Sequence, residues 1–347
     1  MNRPYEQGCV ITVGKFEAIH LGHRALIEKV INRAKETGHA SVVVIFRPHP
    51  FTYLRHPDYK PIFTIQERVE LLTELGVEHV MILRFDSKFA ARKATQFCSK
   101  LTGDFKAREI VVGEGYRFGH NREGTVETLK GKRGLIVHAV PLLSDPEKEV
   151  ASQPNNLIGG AILTPRQSFA TQNFATPLGK GVAPPSQTNN LVGGAINTSN
   201  IRKLLEAGNF RDAAQLLGFP FFVAGEVTKG RQLGRVLGFP TLNIYPPPEK
   251  FLPENGVYET NVIVNGVSVR GITNVGLRPT VTPADDAQIS VETHIPSFNE
   301  CHNMYGKQIK VEFLRFIRPE CKFETVEELQ LQIARDLENV KENQHEL

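Results

Sequence analysis

The sequence predicts two folds in series: a doubly wound α/β domain, then a small antiparallel β-barrel that ends in a helix. Three observations carry this. Over residues 1–143 short Val/Ile runs alternate with amphipathic segments, the pattern of βαβ units that build a parallel sheet with helices on both faces. From residue 221 onward the pattern changes to six apolar runs separated by turn formers such as Asn265-Gly266, as in a barrel of short antiparallel strands. At the end, Thr325-Val326-Glu327-Glu328 reads as a capping box opening a helix, with Leu329, Ile333, Leu337 and Val340 in one apolar stripe.

In the first domain the strands are predicted at 10–16, 41–46, 79–84, 109–112 and 135–140. Their continuous Val/Ile character fits strands covered on both faces. Thr64-Ile65-Gln66-Glu67 is a capping box, and Gly76 suits the residue just past a helix end. Residues 144–196 change character. Between Ser152 and Ile196 the only charged residues are Arg166 and Lys180, and the octapeptide NNLIGGAI starting at Asn155 recurs as NNLVGGAI starting at Asn189. Two copies do not build a solenoid, so this stretch reads as a low-complexity insert. Helical spacing resumes at Ile201, Leu204, Leu205, Ala213, Leu216 and Leu217 until Gly218 and Pro220 stop it, so 197–218 forms the helical end of the first domain. The barrel occupies 219–347, with strands predicted at 221–227, 241–244, 258–264, 268–273, 289–295 and 309–316.

Composition narrows the function. A chain of 347 residues, 40% hydrophobic and 22% charged, is globular and has room for two domains. The net charge of +4 is too slight and dispersed to mark a nucleic-acid surface, whereas small anionic substrates suit it. Cys9, Cys98, Cys301 and Cys321 lie far apart with no C-x-x-C pair, so neither a disulfide framework nor a zinc site is suggested, and a reducing cytoplasm is the plain reading. The N-terminus lacks the apolar run of a signal peptide, and no apolar stretch is long enough to span a membrane. No membrane or nucleic-acid partner is expected, and the oligomeric state stays open.

Two stretches carry chemistry. In residues 225–243, GEVTKGRQLGRVLGFPTLN, glycines 225, 230, 234 and 238 precede Thr241 and Asn243, so main-chain N–H groups can converge on a phosphate. It is not a P-loop, since Arg231-Gln232 follow the second glycine, nor a dinucleotide fingerprint. The stretch from Gly113 to Gly119 fails as a fingerprint too, having one residue too many between its last two glycines. Near the start, His20 and His23 follow the first strand and adjoin the N-terminus of a helix. That is the crevice where open α/β sheets bind ligands and where a helix end favours phosphate.

GKFEAIHLGH at 14–23, FRPHP at 46–50, VVGEGYRFG at 111–119 and TSNIR at 198–202 together resemble the adenylyltransferase module of bacterial bifunctional riboflavin kinase/FAD synthetases. The 225–243 block, NVGLRPT at 274–280, SVETHI at 290–295, MYGK at 304–307 and Arg318-Pro319-Glu320 resemble the riboflavin kinase barrel of the same family. Only the repeat-bearing insert falls outside the resemblance. It implies a Rossmann-like nucleotidyltransferase fold for the first domain, with riboflavin, FMN and ATP as substrates and Mg²⁺ accompanying ATP. It implies Glu292 as general base of the kinase, Thr241 and Asn243 as Mg²⁺ ligands, and Gly225, Gly230, Gly234 and Gly238 beside the nucleotide phosphates. For adenylyl transfer it implies His20 and His23 on the ATP phosphates, with Gly14, Phe16, Ser199 and Arg202 around them and Arg117 near flavin; Arg278, in the barrel's NVGLRPT motif, is likewise implied to bind flavin. Lys15, Glu17, Ala18 and Gly115 depart from the residues usual in the family, as does Asn197-Thr198-Ser199. An alternative is therefore a riboflavin kinase whose N-terminal domain has become a nucleotide-binding or sensor module.

Overall fold

The computed structural model describes residues 7–54, 56–141, 196–230, 234, 238–277, 289–296 and 304–342. Most of the insert, and Arg278 with its neighbours, lie outside these residues. Strands β1 (Cys9–Val13), β2 (Ala40–Arg47), β3 (His79–Arg84), β4 (Ala107–Gly113) and β5 (Ile136–Val140) form one parallel sheet in the order β3-β2-β1-β4-β5. Alternate residues of β2 face opposite ways. Val43 and Ile45 pack with Ile27 of α1 (Leu21–Thr37) and Leu71 of α3 (Ile65–Glu74), and Val42 and Val44 pack with Phe97 of α5 (Ala94–Gly103) and Leu129 of α6 (Val126–Lys130). Helices thus cover both faces, and the short α2 (Pro50–Leu54) and α4 (Ser87–Ala90) complete the connections. Only the central strands are buried on both sides; on the edges, Ile82 and Ile136 are about half exposed. β1 stops three residues before its predicted end because Gly14 turns the chain and Phe16 adopts a left-handed φ of 42°, which no strand tolerates.

The single helical run expected near 201–217 is two helices, α7 (Thr198–Glu206) and α8 (Phe210–Leu217). Gly208, at φ 71°, breaks it, and Asn209 caps the second helix by accepting from the Asp212 amide. Strands β6 (Phe222–Glu226), β7 (Thr241–Ile244), β8 (Gly256–Val264), β9 (Val267–Leu277), β10 (Ile289–His294) and β11 (Gln308–Arg318) form an antiparallel sheet in the order β6-β11-β8-β9-β10-β7. It curls until its two edges approach, where the Thr228 amide donates to the Asn243 carbonyl at 2.9 Å. Asn265 and Gly266, both at positive φ, make the tight β8–β9 turn. The C-terminal helix α9 (Val326–Glu342) packs Leu337 and Val340 on Val257 and Ile272, and its Asp336 accepts from Arg318.

One continuous apolar core joins the two halves, running from Phe16, Phe63 and Leu71 through Ile201, Leu205 and Phe210 to Phe221, Tyr258 and Phe313.

Candidate active sites

In the parallel sheet the chain moves from β1 to β2 on one side and later returns to place β4 on the other, so the switch point lies between β1 and β4. Loop 14–20 follows β1 and loop 114–119 follows β4, both at the C-terminal edge. The first loop is strained. Phe16 and Ile19 take φ of 42° and 46°, and for a β-branched residue such as Ile19 that is an outlier. The outcome is an ordered pair of imidazoles: His20 caps α1 by accepting the His23 amide at Nδ1, 3.3 Å away, and the two rings stack at 3.8 Å. Phe16 sets its ring edge against His23, and Gly14 leaves room for that ring, since a Cβ there would lie 2.8 Å from it. Burial pushes the His20 imidazole down to about 4. It pushes His23 well below the usual histidine range, with the neighbouring His20 and Lys15 adding to the effect. Both rings are neutral at pH 7, so each carries one N–H donor and one acceptor nitrogen. The His23 Nδ1 is buried without a hydrogen-bond partner.

Glu17 lies at the floor of this loop. Its buried carboxylate accepts from the Tyr59 hydroxyl at 2.8 Å, the Ile62 amide at 3.2 Å and Arg202 Nη2 at 3.0 Å. His49 Nε2 stands 3.3 Å away without hydrogen-bond geometry. Arg202 also donates to the Lys60 carbonyl, with its guanidinium over the rings of Tyr59 and Phe251. It is thus built into the wall of the site through Glu17, while Ser199 is exposed in the first turn of α7 and Arg117 is exposed on the loop after β4. Arg68, buried on α3, donates to the Lys15 carbonyl at 2.9 Å. Sequence reasoning gave no role to His49, Tyr59 or Arg68. His49 stands in the FRPHP motif and could have been found there; Tyr59 and Arg68 carry no local signal.

The second site lies on the barrel. Asn243 on β7 stands directly opposite Glu292 on β10, which stands opposite Asn274 on β9, so three polar side chains form one row across three strands. Thr241 shares the face of Asn243 two residues away. Ser290 Oγ donates to Glu292 at 3.3 Å, and Asn274 Nδ2 donates to Glu320 at 3.1 Å. Asn274 and Glu320 were missed as individuals, although each sits in a motif noted above. On the other face of the sheet the hydroxyls of Thr260, Thr273 and Thr293 form a buried chain with 2.8 Å links. The glycines permit close approach. A Cβ on Gly230 would lie 2.6 Å from the Asn243 amide, Gly225 backs onto Ile244, the Gly234 carbonyl accepts from Phe239, and Gly238 takes φ 84°. Arg278 lies outside the described residues.

The Asn243 Oδ1 is buried without a hydrogen-bond partner, and Thr241 Oγ1 is 3.4 Å from the same amide's nitrogen. Two neutral oxygen donors beside a carboxylate are the donor chemistry that Mg²⁺ takes when substrate oxygens and water complete its shell. Among the described residues no group of three or more His, Cys, Asp or Glu could hold a metal, and no helix is long and apolar enough to cross a membrane.

A family model for FAD synthetase matches residues 2–154, and one for riboflavin kinase matches residues 217–344. The bifunctional riboflavin kinase/FMN adenylyltransferase of Escherichia coli K12 is 30% identical over 335 residues, covering 95% of this chain and 91% of the relative. The protein of the same name from Bacillus subtilis 168 is 29% identical over 94% of this chain and 90% of its own length. A crystal structure described as a macrolide-efflux protein from Streptococcus pneumoniae superposes with a TM-score of 0.73 at 27% identity, covering 98% of this chain and 95% of that one. With both modules present in order and relatives matched over nearly their whole length, the chain belongs to the bifunctional riboflavin kinase/FMN adenylyltransferase family.

Proposed function

We propose that the barrel phosphorylates riboflavin to FMN and that the α/β half transfers AMP from ATP to FMN, giving FAD and pyrophosphate. The observation that carries the kinase reading is the unpartnered, buried Asn243 Oδ1 set directly across the ladder from Glu292. Glu292 takes the proton of the ribityl 5′-hydroxyl as its oxygen bonds to the γ-phosphorus, and the bond from that phosphorus to ADP breaks. Mg²⁺ bound by Asn243 Oδ1 and Thr241 Oγ1 would neutralise charge on the ATP phosphates. The glycine-rich stretch around Gly225, Gly230, Gly234 and Gly238 brings main chain against those phosphates.

In the α/β half an FMN phosphate oxygen attacks the α-phosphorus of ATP, and the bond to pyrophosphate breaks. His20 and His23, neutral and at the N-terminus of α1, donate N–H bonds to phosphate oxygens where negative charge accumulates. Ser199 and Arg117, both exposed at this edge, are the side chains we assign to nucleotide and flavin, whereas Arg202 holds Glu17 in place. Glu17 itself argues for a working site. Its buried carboxylate is engaged by a hydroxyl, an amide and a guanidinium and is not left unpaired. A kinase-only enzyme is not favoured. The need for ATP as substrate supports a cytoplasmic setting for both reactions.

The test is to incubate the protein with Mg²⁺ and ATP plus either riboflavin or FMN and separate the flavins chromatographically. FMN from riboflavin and FAD from supplied FMN are expected; absence of FAD would overturn the adenylyltransferase reading, and absence of FMN the kinase reading.

A further inference from the structure

Lys250 belongs to the kinase half, yet its ammonium is buried at the joint between the halves, 1% exposed. It donates to the Phe222 carbonyl at 3.0 Å on its own side, and to the Ile62 carbonyl and Glu67 Oε2, each at 2.8 Å, on the other. All three of its protons are engaged, and the rings of Phe63 and Phe221 lie over it at 4.6 and 4.9 Å. Glu67 is the residue that closes the α3 capping box, accepting the Thr64 amide at 2.8 Å, and its second oxygen accepts Ala224 of β6 at 3.2 Å. Beside it, the Phe251 amide donates to the Pro61 carbonyl at 3.0 Å. Segment 61–68 is therefore gripped from the kinase side at four points.

That same segment holds the loop after β1. The Ile62 amide donates to Glu17, and Arg68 donates to the Lys15 carbonyl. We propose that Lys250 is a positioning residue for adenylyl transfer: from the kinase half it fixes segment 61–68, and through Glu17 and Lys15 the loop that presents His20 and His23. The hydrogen bonds of Lys250 reach none of Thr241, Asn243 or Glu292, so its contribution falls on the distant reaction rather than on the one its own half performs. The proposal rests on the adenylyltransferase reading of the β1 loop.

The test uses full-length Lys250→Met, assayed in one preparation for FMN adenylylation and for riboflavin phosphorylation. Adenylylation should fall about tenfold to a hundredfold, as a misplacement of about 1 Å at a reacting centre does, while phosphorylation stays within about twofold of the wild type. That split is the decisive readout, because general destabilisation would lower both rates together. Equal losses, or no loss, overturn the proposal. Glu67→Gln keeps the shape of the joint and should give the same split, which decides the matter if Lys250→Met does not fold. Wild-type protein that makes no FAD would refute the reading of the site itself; an active wild type matched by both variants would refute only the role of Lys250.

Discussion

Glu292, the proposed base, lies between Asn243 and Asn274 in the ladder and accepts from the Ser290 hydroxyl, with no salt bridge to a cation among the described residues. Glu292→Gln should lower riboflavin phosphorylation by about 10²- to 10⁴-fold, the usual worth of a general base. Adenylylation of supplied FMN should stay within about twofold, and simultaneous loss of both rates would refute separate sites. The histidines pose the opposite case. Their neutrality comes from burial, which suits the proposed role as N–H donors rather than as charges. His23→Ala removes one such donor and should lower FAD formation by about 10²- to 10³-fold with phosphorylation retained, measured in the paired assay. An unchanged FAD rate would sever His23 from the chemistry.

At the scale of elements, the strands and the turns between them were legible because their signals are local. Val/Ile runs, Asn265-Gly266 and the Thr64 box each act through neighbours a few residues away. What escaped the sequence is what depends on partners far along the chain. Tyr59 and Arg68 meet Glu17 and Lys15 only after folding, and nothing in their own surroundings announces it; Arg202 was legible in TSNIR, but its bond to Glu17 was not. The break between α7 and α8 was missed because the apolar spacing continues on both sides of Gly208 and hides the turn. The capping box shows both sides of this: its existence was readable from four residues, but not that Glu67 completes it while binding Ala224 and Lys250 of the other half. The glycine-rich stretch was read for close approach, and the approach is specific. Gly230 abuts the Asn243 amide, so a methyl group there must displace that side chain. Gly230→Ala should therefore raise the ATP and Mg²⁺ concentrations needed for phosphorylation by about tenfold, roughly the worth of one displaced polar contact of 1 to 2 kcal/mol. FAD formation from supplied FMN should not change. Normal ATP and Mg²⁺ dependence of the kinase would mean that Asn243 does not serve that site.

At the scale of the whole molecule, the shared core and the buried histidines together set how the protein responds to acid. His20 and His49 are both pushed down to about 4 by burial, and His23 is lowered as well. In the unfolded chain these groups take up protons near 6.5. Between pH 6.5 and 4 the unfolded state thus binds more protons than the native state, and stability falls as the pH falls through that window. A shift of this size is on the order of 3 kcal/mol for each fully buried histidine, and typical domains hold only about 5 to 15 kcal/mol in all. Glu109, held low chiefly by Arg33, adds a further loss below the ordinary carboxylate range, whereas Glu312, raised by burial, opposes the trend. The histidines belong to the α/β half, but Phe16, Phe63 and Phe221 share one core across the joint, and Lys250 is hydrogen-bonded across it. Acid should therefore unfold both halves together. The chain has no tryptophan and seven tyrosines, so far-ultraviolet circular dichroism is the suitable probe. The urea midpoint should drop steadily from pH 6.5 to 4.5 in a single transition, with FAD-forming and FMN-forming activities lost at the same urea concentration. A midpoint that holds constant over that range would contradict the neutral state assigned to the histidines; two separated transitions would contradict the coupling of the halves.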